Sequence, residues 1–424
     1  MQTSSQSRKA DYFLPFVLIT SLFFLWGFAH NLNPILIPHL KKACQLSDFQ
    51  SAMIDSAFFV AYFLMAIPAG MVMKKYGFKV GILMGLFLFA LGAFLFIPAA
   101  NVRVFGFFLT ALFVIASGLT FLETAANPYI TVLGDPAQAA QRLNIAQSFN
   151  GLAASLAAWA GGRFILTGES RSEAEIAGMS PEALSTFLDG EAASVKIPYL
   201  IIGLVVLGIA FLLYKSRLPE VGEENSHGLD FSSGLRQIFR HRHFSWGLTA
   251  QFFYVGAQVC VSSFFIRYLG KTVGMDEKSA AEYLAIALFA FMAGRFIGSF
   301  LMRFLPPARL LGLYAFACIL LMGLVVMWGG PVSVYSLVGT EFFMSIMFPT
   351  IFSLSLQSLG SETKLGSSLL VMSIVGGALL PLVMGFYSDK SSIQQAYLIP
   401  LICFVVVFFF AAFGAKPEKA VSEI

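Results

Sequence analysis

The residue of this chain best placed to do chemistry is Glu123, an acid in the otherwise apolar stretch FLETAANPYI. Thr120, Thr124, Asn127 and Thr131 fall at spacings that put them with Glu123 on one broad helix face. A carboxylate within hydrocarbon is costly, so it faces a cavity or a partner. There it can bind a cation, or take up and release a proton. Pro128 removes a backbone donor and can kink the helix where that face looks inward. The competing reading is a carboxylate buried for packing with a Lys or Arg, but no basic residue is evident at that depth in the first half. Asp55 is a second intramembrane acid. Ser47 and Gln50 read as a capping box that starts its helix, which sets Asp55 about 12 Å down the axis. Its plainer reading is an acid in a wet vestibule.

Amides supply a second chemistry. Asn31 follows His30 and precedes Asn33 and Pro34; Asn144, Gln147, Ser148 and Asn150 share one span, and Gln251, Tyr254, Gln258 and Ser262 recur at helical spacing on another. With Asn127, these groups offer paired donors and acceptors that suit the vicinal hydroxyls of a sugar. Interhelical hydrogen bonding alone explains some of them, but as a set they favour a sugar-like site. Arg295, in GRFIG, reads as structural: it anchors helix packing or pairs with a carboxylate near the inner end of its span. Glu341 reads as an interfacial acid opening its helix.

The elements that position these residues must be membrane spans. Of 424 residues, 58% are hydrophobic and only 12% charged, about half the charged share of a soluble protein. At roughly 20 apolar residues per crossing, twelve spans fall near 12–38, 48–73, 79–99, 104–132, 141–167, 197–214, 245–269, 279–303, 308–328, 332–358, 365–387 and 393–414. The first is read as an uncleaved span, being too long for a signal peptide's apolar region. Between spans five and six, MSPEALSTF reads as a short Ser-capped helix. The basic residues, among them Lys74, Lys75, Arg236, Arg240 and Arg242, place both termini on the cytoplasmic side. The polar segment 215–243 divides the spans six and six, into an N-terminal bundle (1–214) and a C-terminal bundle (244–424). Gly27 in FFLWG and Gly256 in FFYVG, like Leu46 and Met275, stand 229 residues apart. Two parallel six-helix repeats joined by a charged loop are the pattern of major facilitator transporters, an all-α membrane fold.

Other functions are excluded by absence. The four cysteines are scattered, with no disulfide framework or metal spacing. No phosphate-binding loop or nucleophile elbow occurs, so the chain is read neither as an ATP-driven pump nor as an enzyme. A net charge of +4 gives no ground for a nucleic-acid partner.

The chain resembles the fucose–proton symporter family of bacterial sugar permeases. The stretches that carry the resemblance are FFLWGFAHNLNPILIP, IPAGMVMKKYG, LETAANPYITVLG, RLNIAQSFNG, AQFFYVGAQ and FPTIFSLSLQSLG running into TKLGSSLLVMSIVGG. It implies a monomeric carrier in the bacterial inner membrane that imports a neutral monosaccharide by alternating access, driven by a cation gradient and needing no other cofactor. It also implies that Glu123 matches the family's essential acid, and that Asn31, Gln147 and Asn150 match cavity-lining amides. One departure stands out: the family's second acid, in an NLND sequence, is replaced here by Pro34 in NLNP, while Asp55 falls where the family has Gln. Acids on the second and fourth spans resemble the sodium site of melibiose-type symporters. With the Asn31 amide, Asp55 and Glu123 would then hold Na⁺, which is the favoured ion; a proton on Glu123 is the alternative. An efflux carrier of the same fold and a non-transporting receptor fit less well, given the amide-rich set and the short inner loops.

Overall fold

The computed structural model describes residues 3–32, 40, 44–45, 48–164, 178–216, 231–275 and 277–416. Among them every regular element is helical. Helix α1 runs Thr3–Asn31, α2 Asp48–Val102, α3 Phe105–Val132, α4 Ala139–Phe164, α5 Pro181–Ala193 and α6 Lys196–Lys215. After the short α7 (Phe231–Ile238) come α8 (Arg242–Tyr268), α9 (Glu277–Leu301), α10 (Pro307–Met327), α11 (Pro331–Met344) and α12 (Met347–Ser355). The last elements are α13 (Thr363–Met372), α14 (Gly376–Lys390), α15 (Ile393–Ala396) and α16 (Leu398–Phe409).

Nine helices among the described residues are long and apolar enough to cross a membrane. One of these, Phe58–Val102, has 45 residues, about 67 Å of helix and twice the thickness of a bilayer core. It carries two spans folded at Gly77, whose φ of 85° and ψ of 169° belong to a region only glycine enters readily. The apolar helix Phe16–Asn31 and the amide-rich α4 complete a twelve-span architecture. Helix α4 is less apolar than these because Gln141, Arg142, Asn144, Gln147 and Asn150 interrupt it.

Local chemistry explains the joints. Ser180 caps α5, its hydroxyl accepting from the Ala183 amide at 3.3 Å, as the Ser-Pro-Glu start predicts. Arg142 donates to the carbonyls of Thr131 (3.0 Å) and Asp135 (2.6 Å), satisfying orphan acceptors at the end of α3 and fixing the turn into α4. Close packing falls on small residues: a Cβ on Gly85 would lie 2.9 Å from the Gly118 carbonyl, so α2 and α3 approach backbone to backbone.

The chain forms two compact units. The first comprises Met1–Ala126 and Phe149–Glu220, and the second Asn127–Ser148 and Val221–Ile424. The turn between α3 and α4 thus groups with the second unit, whereas the sequence division keeps it whole within the first bundle. Hydrogen bonds from α4, described below, account for this grouping.

Candidate functional site

In the first unit, Glu123 sits on α3 with 7% of its surface exposed. Thr120 and Thr124 are buried beside it, and the Thr120 hydroxyl turns back to the Ala116 carbonyl at 2.8 Å. The phenol of Tyr62 on α2, itself buried, is hydrogen-bonded to the Glu123 carboxyl. A tyrosine O–H donates to a carboxylate and can accept from a carboxylic acid, so the pair suits either protonation state. The sequence reading missed Tyr62. Its signal was there, since it lies two helical turns beyond Asp55 on the same helix face. The side chain of Asp55 and the capping residue Ser47 lie outside the described residues.

Asn31 ends α1 and donates from Nδ2 to the Gly27 carbonyl at 2.7 Å. A Cβ on Gly27 would meet Asn150 Cγ at 2.7 Å, so the missing side chain is what admits Asn150 from α4. Asn31 and Asn150 are therefore drawn to one stretch of the first unit, both half-buried. Asn31 keeps its amide oxygen uncommitted by that bond, an acceptor for a sugar hydroxyl.

The second unit holds the remaining amides, and most are engaged with protein. Gln147 donates from Nε2 to Asn127 Oδ1 at 3.2 Å, and the buried Asn127 Nδ2 has no partner among the described residues. Asn144 donates to the Ala140 carbonyl (2.9 Å) and to Thr350 Oγ1 (3.1 Å). Tyr254 is wholly buried, and its hydroxyl donates to the Met344 carbonyl at 2.9 Å. Gln251 is also buried, with neither amide atom bonded among the described residues, while Gln258 is half-buried. A buried polar atom without a partner marks a place for water or a ligand group; among the described amides, Asn127 Nδ2, both amide atoms of Gln251 and Asn144 Oδ1 are such places.

Arg295 is 6% exposed, and its partners among the described residues are carbonyls. Its Nε donates to Ser345 O and its Nη1 to Gln147 O, each at 2.9 Å, and the guanidinium lies 4.7 Å from the Phe291 ring centre. Ser345 stands at the break between α11 and α12, where a carbonyl lacks its helical partner. Gln141 adds a bond to the Ser299 carbonyl at 3.2 Å. Residues 141, 144 and 147 thus tie one face of α4 to α9 and α12. Glu341 corrects the interfacial reading: it is 1% exposed inside its span and accepts from Ser262 Oγ at 2.8 Å. The polar stripe of α8 to which Ser262 belongs provides its partner.

Residues 17–373 match the Major Facilitator Superfamily. The chain is 44% identical over 419 residues to the L-fucose-proton symporter of Escherichia coli K12, covering 97% of this chain and 95% of that one. It is 41% identical over 420 residues to a glucose/galactose transporter of Brucella abortus biovar 1, covering 98% and 97%. Among solved structures it superposes on FucP, a Major Facilitator Superfamily transporter crystallised in the outward conformation. The TM-score is 0.90 at 44% identity, over 96% of this chain and 99% of that one. These relatives are transporters, not enzymes.

Proposed function

The chain belongs to the Major Facilitator Superfamily and, within it, to the fucose–proton symporter family, and on that premise we propose that it imports a neutral monosaccharide together with a proton. The observation that carries the proposal is Glu123, a deeply buried acid hydrogen-bonded to Tyr62. An acid held this way can be neutral in one step of a transport cycle and charged in another. Relatives whose names specify an ion specify the proton. That replaces sodium, the ion favoured by the sequence reading, and leaves Asp55 as a further acid on α2 without an assigned ion.

L-fucose is the first substrate to test. A second reading, glucose or galactose, is supported by the 41% identity to a transporter of those sugars. Uptake of labelled L-fucose, galactose, glucose and N-acetylglucosamine into proteoliposomes under an imposed pH gradient separates them. Accumulation of one or more of these sugars is expected. Accumulation of none, with export of apolar compounds instead, would contradict import of a sugar. Both termini are proposed to be cytoplasmic, following the basic residues.

The sugar is proposed to be held by Asn31, Gln147 and Asn150, with Asn127 and Gln251 offering the free polar atoms noted above. Replacing Asn31, Gln147 or Asn150 by Ala is expected to weaken sugar binding by about 1–3 kcal/mol, the cost of leaving a buried hydroxyl unpaired. Calorimetry on the purified protein checks this. Unchanged affinity in all three variants would return these amides to a packing role.

A further inference from the structure

The second unit carries a basic patch that the transport reading does not use. Arg236 on α7, Arg240 in the following turn and Arg242 at the start of α8 are all exposed. None of the three has an ion pair or side-chain hydrogen bond among the described residues. The patch is held in place. Ile238 is buried, with its Cδ1 3.1 Å from where a Cβ on Gly366 of α13 would be, so α7 is seated on the bundle while its Arg236 stays exposed.

A separate observation sets the depth of the patch. Arg242 begins one apolar span, Arg242–Val273, and Gly414 ends another, Ile393–Gly414. These two ends meet, because a Cβ on Gly414 would lie 2.9 Å from Trp246 Cβ. Trp246 is 48% exposed, Phe239 49%, and Phe413 beside Gly414 is exposed too. Amphipathic and aromatic rings at the limit of a span are the mark of the headgroup level. Lys416, exposed just beyond Gly414, adds a fourth cation at the same end.

The geometry points to a seat for an anionic phospholipid: Arg236, Arg240, Arg242 and Lys416 receive its phosphate, while Trp246 and Phe239 border its glycerol and upper acyl chains. Guanidinium groups suit phosphate oxygens through paired N–H donors. A water-soluble phosphate would gain nothing from the exposed rings, which is why the lipid is the favoured source.

The test uses the full chain in nanodiscs of phosphatidylethanolamine with one-fifth phosphatidylglycerol, released and weighed by native mass spectrometry. Parent protein is expected to retain phosphatidylglycerol in preference to its share of the bilayer. R236Q/R240Q/R242Q is expected to lose that preference, on the order of fivefold for each arginine. R236K/R240K/R242K, which keeps the charges, is expected to retain most of it and to control for folding, as do the single R→Q variants. Equal retention by the parent and the folded triple Gln variant would overturn the proposal. Displacement of the lipid by inorganic phosphate would overturn its assignment to a lipid.

Discussion

Glu123→Gln is expected to abolish concentrative uptake while leaving sugar exchange between equal concentrations within a few-fold of the parent. The amide preserves the size of the side chain and can still bond the Tyr62 hydroxyl, so the packing of α3 on α2 is kept. What it removes is the exchangeable proton. With one proton per sugar, each unit of imposed pH gradient supports up to about tenfold accumulation, since 1.36 kcal/mol corresponds to a factor of ten. The variant's internal-to-external ratio is expected to settle at one. Accumulation by Glu123→Gln at the parent's level would remove Glu123 from the coupling step.

Arg295→Ala is expected to destabilise the folded protein by about 3 kcal/mol in denaturant titrations in detergent, the loss typical of a broken buried charged network. Two carbonyls, Ser345 O and Gln147 O, lose their donor together. Ser345 O suffers most, because it lies at a helix break with no backbone donor in sequence to replace the guanidinium. Arg295→Lys is expected to recover only part of the loss: one ammonium on a flexible stem does not span two carbonyls as a planar fork does. Stability of Arg295→Ala within 0.5 kcal/mol of the parent, a margin typical of neutral surface substitutions, would show that the two bonds carry no net stability.

Much of the architecture was legible in the sequence because a bilayer imposes a length and a polarity on every span. The stretch Phe58–Val102 holds the two spans expected near 48–73 and 79–99, and Gly77, between them, is where it folds. Ser180 was read as a cap and is one. The roles of the amides were far less legible. Asn144 and Gln147 look alike in sequence to a sugar ligand and to a helix tie, since a protein carbonyl or hydroxyl satisfies an amide as well as a sugar hydroxyl does. Three residues of one α4 stripe are bonded to Ser299, Thr350 and, through the main chain, Arg295. Glu341 misled for a related reason. Its partner Ser262 is 79 residues away in the chain, and no local pattern reports on it. The ion was the hardest to read, because carboxylates on two spans serve Na⁺ and H⁺ equally well on paper.

The most direct test of proton–sugar symport follows the proton itself. Purified protein is reconstituted into weakly buffered, K⁺-loaded proteoliposomes in Na⁺-free medium with valinomycin present, and external pH is recorded as L-fucose or, in parallel, galactose or glucose is added. The account predicts that a transported sugar makes the medium more alkaline at once, that Glu123→Gln abolishes the signal, and that replacing K⁺ by choline in the outer medium leaves it in place. Sugar entry that requires external Na⁺ and proceeds with no pH change would contradict it.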